Sequence, residues 1–203
     1  MSEFELREGN VVFVPVMHGK MPFALQVRRA ILREKPSVIA VEFPETLQAA
    51  LERTVKRLPL LSLIRYAESD GEPSFLLIEP CDAMVEAVRS ARELGIPWHA
   101  VDRDTEGYHG GLDCLPDPAS MEQLGYEAYA KLVCEALGKQ DPSQQDAMRE
   151  ANMAYHLDRL SRTNEKVLFV CGMAHAKRVK ERLGQPSVRP LSRLKREKIE
   201  LLH

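Results

Sequence analysis

The chain has 203 residues, a formal net charge of −2 and 44% hydrophobic residues, a composition typical of a globular domain. The near-neutral charge predicts no basic field for nucleic acid or anionic lipid. No apolar run approaches the roughly 20 residues that span a bilayer, and the N-terminal "MSEFELREGN" lacks the apolar core of a signal peptide.

The cysteines are scattered and form no CxxC pair, which excludes a zinc-ribbon pattern. Isolated cysteines in a chain without an export signal are typical of reduced, mostly buried thiols. The sequence therefore predicts a cytoplasmic protein with no nucleic-acid partner and no membrane span. The cysteines are Cys81, Cys114, Cys134 and Cys171.

The first half of the chain alternates short apolar runs with helical patterns. "VVFVPV" predicts a strand over Val11–Val16, and Pro22 opens a helix that ends before Lys35–Pro36. "SVIAVEF" predicts the second strand, and "PETLQAALERTVKRL" predicts a helix with proline at its first position. "LLSLIRY" and "SFLLIEP" are too short for periodicity to separate a strand from a buried helix.

The second half continues the same alternation. "DAMVEAVRSARELG" predicts a helix capped by Asp82, and "PWHAVDRD" predicts the next strand. The Gly- and Pro-rich residues 105–119 predict a long loop. Helices are expected near Met121–Leu137 and Pro142–Arg162, the latter capped by Asp141. "KVLFVCG" then predicts a strand that leads into the helix "AHAKRVKERLG".

This alternation predicts an α/β fold with a mostly parallel central sheet flanked by helices. We expect residues 1–187 to form a single domain. Residues 188–203 form a basic, amphipathic segment whose pattern is still running at His203. The segment is therefore expected to lead into a region absent from this chain, and a simple terminal helix is equally compatible with the pattern.

Polar side chains stand at the carboxyl ends of the predicted strands. In open α/β sheets ligands bind beyond these ends, so the sequence predicts a site there. Glu42 lies inside "VIAVEF", where an ionised side chain costs several kcal/mol unless it is paired or binds a ligand. The candidate residues are His18, Glu42, Glu45, Asp102, Asp104 and His175.

The helix "QQDAMREANMAYHLDRL" adds a charged pair to this set. Arg149 and Glu150 precede Met153, the first residue of the apolar stripe, by four and three residues, so they share the inward face of the helix. The pair is expected to point toward whatever the helix covers, and the ordinary alternative is a solvated rim.

Two chemistries suit these residues, one with a metal and one without. Imidazoles and carboxylates together suit Mn²⁺, Fe²⁺, Co²⁺ or Zn²⁺, and such an ion would generate hydroxide from bound water. The sequence contains no HExxH motif, so each ligand would come from a different loop. The predicted metal ligands are His18, Glu42, Asp102, Asp104 and His175.

In the metal-free version the same residues act directly. His18 deprotonates a water molecule, Glu42 or Glu45 orients its ring, and Arg149 stabilises an oxyanion. His175 is expected at a helix N-terminus, where the protonated ring is disfavoured, so it should stay a neutral base or ligand. The sequence carries neither a GxSxG elbow nor a GxxxxGK[ST] phosphate loop.

The ordered set of motifs resembles the Tiki/TraB superfamily, which includes ChaN-like and erythromycin-esterase-like proteins. The resemblance runs from Val11 to Arg182 through "PVMH", "KPSVIAVEFPE", "VDRDT", "REANMAYHL" and "VLFVCGMAH". Pro15 stands where the first motif usually has glycine, and Glu150 stands where aspartate usually follows Arg149. The resemblance implies a compact α/β fold with a pocket at the strand ends.

The resemblance also implies hydrolase chemistry. Metal-dependent peptide cleavage is associated with Tiki-type proteins, and metal-free ester hydrolysis with histidine as base is associated with the esterase branch. We therefore expect a hydrolase that cleaves an ester or amide bond in a small-molecule or peptide substrate.

Two alternatives remain: a non-catalytic module that binds a small anionic or haem-like ligand in a regulatory assembly, and a scaffold whose pocket has decayed. Homo-oligomer formation is left open.

Overall fold

The computed structural model describes residues 5–67, 72–106, 116–185, 189–190, 194, 196 and 198–203. The centre of the predicted loop over 105–119, with Cys114, lies outside the described residues, as does most of the turn between "LLSLIRY" and "SFLLIEP".

The described strands and helices alternate along most of the chain. The strands are β1 (Arg7–Glu8), β2 (Val11–Val16), β3 (Val38–Pro44), β4 (Ser62–Ala67), β5 (Pro73–Ile78), β6 (Trp98–Asp102), β7 (Val167–Gly172) and β8 (Glu200–Leu202). The helices are α1 (Met21–Glu34), α2 (Gln48–Val55), α3 (Ala83–Leu94), α4 (Ser120–Leu124), α5 (Tyr126–Leu137), α6 (Gln144–Thr163) and α7 (Met173–Arg182).

The larger sheet has five strands in the order β1-β2-β7-β3-β6. Only the short β1 is antiparallel to its neighbour, so the predicted α/β fold with a mostly parallel sheet is confirmed. Every residue of β2 and β3 is buried, as expected for parallel strands covered on both faces. Because β2, β7, β3 and β6 run in parallel, their carboxyl ends lie at one edge of the sheet.

A second sheet, with the order β5-β4-β8, is antiparallel throughout. It shows that both ambiguous apolar runs are strands. It also contains Glu200–Leu202, so these C-terminal residues form a strand and the helical alternative is wrong for them. Leu202 pairs with Leu63 of β4, and a segment this short gains its backbone hydrogen bonds from an existing strand more readily than from a helix of its own.

Helix boundaries differ from the predicted ones where local capping prevails over periodicity. Gly125, at φ 79° and ψ 152°, separates α4 from α5 within the helix expected over Met121–Leu137. The cap of α6 is Ser143 and not Asp141: its Oγ accepts from Asp146 N at 3.0 Å and donates to Asp146 Oδ2 at 2.8 Å. The predicted Asp82 cap of α3 is confirmed.

Cys81, Cys134 and Cys171 are free thiols, and the last two are buried. Burial raises the pKa of Cys171 well above its ordinary value, which makes this thiol a packing group and not a nucleophile. Within the described part of the chain, no helix combines the length and apolar character needed to cross a membrane.

Candidate functional site

A pocket of about 670 Å³ lies beside the carboxyl ends of the parallel strands. Its floor includes Glu42 of β3 and Asp102, the last residue of β6. His18 follows β2, while Gly172 and His175 mark the junction of β7 and α7. Four segments far apart in sequence therefore meet at one cavity because their strands are neighbours in the sheet.

Arg149 of α6 joins the two acidic strands. Its Nη2 donates to Glu42 Oε1 and to Asp102 Oδ2, both at 2.7 Å, and its Nε donates to Asp102 Oδ2 at 3.0 Å. The side chains of Arg149, Glu42 and Asp102 are all largely buried. The predicted inward orientation of Arg149 is confirmed, and its guanidinium provides the compensation that a buried Glu42 requires.

His175 lies between Arg149 and a second buried carboxylate. Its Nδ1 is 3.0 Å from Glu150 Oε1, and its Nε2 is 3.2 Å from Arg149 Nη1 and 3.5 Å from Glu42 Oε1. Arg178 Nε also donates to Glu150 Oε1, at 2.8 Å. The backbone N–H of Gly172 donates to Glu42 Oε2 at 2.7 Å. The network is continuous from β3 through α6 to α7.

His18 stands on another part of the pocket wall, with 62% of its side-chain surface exposed. Its Nδ1 lies 3.6 Å from Asp82 Oδ2, which also accepts from the Gly19 N–H at 3.0 Å. The ring partner of His18 is therefore Asp82, whereas the sequence suggested Glu42 or Glu45. Asp82 reads in sequence only as a helix cap, and no pattern in the chain links it to a histidine 64 positions earlier.

Glu45 and Asp104 are drawn into other contacts. Glu45 accepts from Asn152 and from Arg189 Nη2, and its Oε1 lies 3.2 Å from His156 Nε2. Asp104 contacts the Thr46 hydroxyl and accepts from the buried Arg196 at 2.8 Å. Neither Glu45 nor Asp104 is among the described residues that line the pocket. The structure thus brings together His18, Glu42, Asp102, Arg149 and His175 and separates Glu45 and Asp104 from them.

Electrostatics favour an ionised Glu42 beside an Asp102 that titrates nearer neutrality. Burial opposes the ionisation of Glu42, but the positive charges of His175 and Arg149 outweigh it and hold its pKa below the usual value. Burial raises the pKa of Asp102 to about 6, because the attraction of Arg149 is partly offset by repulsion from Glu42. Asp102 therefore takes up a proton as the pH falls through about 6.

The pKa values of both histidines are shifted upward. Burial lowers the pKa of His175. The charge of Glu42 and the hydrogen bond to Glu150 raise this pKa by more than burial lowers it, so the net shift is upward. The direction of this shift runs against the effect expected of a helix N-terminus, and the neutral form of His175 stays a prediction. Partial desolvation likewise lowers the pKa of His18, and Asp82 raises it more.

The residues present do not form a ready metal site. Among the described residues, no group of three His, Cys, Asp or Glu side chains is arranged to hold a metal ion. The Arg149 guanidinium stands between the Glu42 and Asp102 carboxylates, and Asp104 is bound to Arg196. A cation at this point would have to displace Arg149, and the metal ligand set stays a prediction.

Sequence reasoning missed several contributors to the pocket, among them Asp82, Asp146 and the second sheet. Asp146 Oδ1 accepts from Arg149 Nη1 at 3.4 Å, and its position three residues earlier on α6 was an available signal. The second sheet supplies Tyr66 and Phe75–Leu77, which no site motif marks.

The fold and these contacts define an α/β protein with a pocket at one edge of its parallel sheet, lined by charged and apolar side chains. Comparisons of the chain with protein-family models, with curated proteins and with solved structures found no match.

Proposed function

We propose that this chain is a hydrolase that cleaves an ester or amide bond with water activated by His18, at the carboxyl edge of the parallel sheet. The observation that carries the proposal is a single pocket whose wall holds an exposed imidazole paired to a carboxylate, together with a buried arginine and a second histidine. These are the groups that general-base catalysis and oxyanion stabilisation require. The motif resemblance to the esterase branch supports the same assignment.

His18 would act as the base. Burial raises the pKa of Asp82, but contact with His18 and its charge lower it overall, so Asp82 is an ionised acceptor. An acceptor beside Nδ1 places the ring proton on that nitrogen and leaves the lone pair on Nε2. Nε2 would take a proton from water as the water oxygen attacks the carbonyl carbon. The same proton then passes to the leaving oxygen or nitrogen as its bond to carbon breaks.

Arg149 would stabilise the negative charge that develops on the carbonyl oxygen, with the His175 ring beside it. Both residues line the pocket, and His175 Nε2 lies 3.2 Å from Arg149 Nη1. Glu42 and Asp102 fix the guanidinium from behind, and Glu150 fixes the imidazole ring. Donors held in this way need little reorganisation during the reaction. The sequence predicts that Glu42 orients His18, whereas in this mechanism Glu42 positions Arg149 and His175.

The direct test is a panel of nitrophenyl esters and peptide nitroanilides, assayed with the wild type and with His18→Ala. We expect turnover by the wild type and a loss of at least about a hundredfold in the variant. His99→Ala is the matched control, because His99 is exposed on β6 and does not line the pocket. Equal turnover by His18→Ala and the wild type would contradict the proposal. A parallel assay with EDTA tests the metal version, which requires that activity fall on chelation.

One observation favours the binding module as a second candidate. Arg149 forms ion pairs with Glu42, Asp102 and Asp146. The same contacts would be expected if Arg149 served only to hold α6 against the sheet. In that case the pocket would hold a ligand without converting it. Saturable binding of an ester or a peptide without product release would favour the module over the hydrolase.

A further inference from the structure

The second sheet presents the edge of β5 to the pocket. Phe75, Leu76 and Leu77 all line the cavity. Successive side chains of a strand point to opposite faces of the sheet. Three consecutive residues can therefore line one cavity only where the cavity meets the strand from its side.

β5 is an outer strand of the second sheet, and the cavity that it borders also reaches Tyr66 of β4. Among the described strands, β5 pairs with β4 alone, in antiparallel register from Pro73 to Ile78. No described residue outside β4 forms a backbone hydrogen bond with residues 75–77. An outer strand carries a row of N–H and C=O groups that accept another extended chain.

The side chains beside this edge are apolar and accessible. Phe75 is 53% exposed and Leu77 is 43% exposed, although both are large hydrophobic residues. They lie on the same face, because they are two positions apart. Apolar side chains left accessible beside a pocket provide surface that a ligand can bury.

The chain leads from this edge directly to the proposed catalytic groups. Ile78, at the end of β5, precedes Asp82 by four residues, and Asp82 contacts His18. A segment lying along β5 would therefore run toward His18.

We propose that the substrate of this site is a peptide bound in extended form as an added strand on β5, with its apolar side chains against Phe75 and Leu77. This inference rests on the proposed hydrolase for its catalytic outcome. In this binding mode, main-chain hydrogen bonds supply affinity, and the contacts of alternate side chains supply selectivity.

The test uses the full chain carrying His18→Ala, so that binding is observed without turnover. The probe is a blocked hexapeptide rich in valine and leucine, with lysine at each end. We expect it to slow hydrogen exchange at alternate amides between Phe75 and Leu77. N-methylation of the two alternate amides that face β5 should weaken binding by about tenfold or more, and methylation of the intervening amides should change it by less than about threefold.

Matched variants test the side-chain contacts. Phe75→Asp and Leu77→Asp should each weaken peptide binding at least about fivefold. Leu132→Asp is the control, because Leu132 is exposed on α5 and does not line the pocket. Equal affinity for both N-methylated peptides would overturn the proposal. The proposal would also be overturned if the affinity for fatty-acyl esters increased with the length of the acyl chain while the peptide did not protect the β5 amides from exchange. Because binding is measured without turnover, protection of the β5 amides would support the peptide site even if the wild type hydrolysed none of the substrates.

Discussion

Asp82 contacts His18 through one carboxylate oxygen and the first turn of α3 through the other. Oδ2 lies 3.6 Å from His18 Nδ1, while Oδ1 accepts from the backbone N–H groups of Met84 and Val85 at 2.8 and 3.0 Å. The helix thus holds the carboxylate in place for the histidine. The two roles are separable by mutation, because asparagine caps a helix about as well as aspartate.

Asp82→Asn should leave the fold intact and lower the pKa of His18. Desolvation already lowers that pKa, and contact with Asp82 and its charge, with a smaller effect of Glu42, raise it overall. If His18 acts as a neutral base, activity increases with pH through its pKa, and the rising limb should move to lower pH in the variant. We expect kcat/KM to fall about 10- to 100-fold at neutral pH. The His18 ring can also be titrated by NMR, without any substrate.

Asp82→Ala provides the comparison for this prediction. It removes the cap as well as the charge, so it should cost about 0.5–2 kcal/mol of unfolding free energy, whereas Asp82→Asn should cost much less. A titration of His18 that is identical in wild type and Asp82→Asn would show that the two residues are not coupled.

Removal of the Arg149 guanidinium should destabilise the protein strongly. Arg149→Met leaves Glu42 and Asp102 buried without their shared partner, and such a change costs about 3–5 kcal/mol. Urea unfolding at pH 7 measures the loss. Arg162→Met, on the exposed face of the same helix, is the control and should stay within about 0.5 kcal/mol.

A second change should offset part of that loss. Asp102→Asn in the Arg149→Met background removes one of the unpaired charges, so the double variant should be more stable than Arg149→Met alone. If the losses of the two single variants simply add, the guanidinium does not compensate Asp102, and the network carries less energy than its geometry indicates.

The sequence predicted the parallel sheet and much of the pocket because these depend on local patterns. A buried strand such as Val11–Val16 is continuous in apolar residues, and parallel strands place their ends together whatever their order. Glu42 was identifiable because a carboxylate in such a strand needs compensation, and helical spacing placed Arg149 on the correct face.

The remaining features depend on contacts that leave no local pattern. Glu45 and Asp104 follow their strands much as His18 does, but Arg189 and Arg196, from the far end of the chain, neutralise them. The antiparallel pairing of β4 with β8 likewise joins residues about 140 positions apart. Strand periodicity in three residues carries too little information to predict that partner.

Glu45 is expected to contribute to stability and not to turnover. Burial opposes its ionisation, but the hydrogen bond and charge of His156, with Asn152 and Arg189, lower its pKa from 4.5 to about 2. Its folded pKa is depressed, so its contribution is complete above pH 4.5 and is lost as the pH falls through about 2. Glu45→Gln should therefore be less stable than wild type by about 1–2 kcal/mol at pH 7, after allowance for partial exposure.

This loss should shrink as the pH falls from 4.5 toward 2, and thermal unfolding across that range measures it. Hydrolysis of the ester panel should stay within about twofold of wild type, because Glu45 does not line the pocket. A large loss of turnover without a loss of stability would return Glu45 to the catalytic set.

Arg196 should be the most sensitive position in the C-terminal segment. Its side chain is fully buried, donates to Asp104 Oδ1 and to the Thr105 carbonyl at 2.8 Å, and stacks 4.0 Å from the centre of the Tyr66 ring. Arg196→Met keeps the length of the side chain but leaves Asp104 uncompensated, so we expect a loss of about 3–5 kcal/mol in urea unfolding.

The change should also affect the pocket, because Tyr66 both stacks on Arg196 and lines the cavity. Arg65→Met is the matched control: Arg65 pairs with Glu200 on the partly exposed face of the same sheet and should contribute no more than about 0.5–1 kcal/mol. Probe-peptide affinity should fall in Arg196→Met and persist in Arg65→Met. If both variants unfold at the same urea concentration as the wild type, the C-terminal segment does not stabilise the second sheet. In that case β4 and β5 alone keep Tyr66 in its position in the pocket.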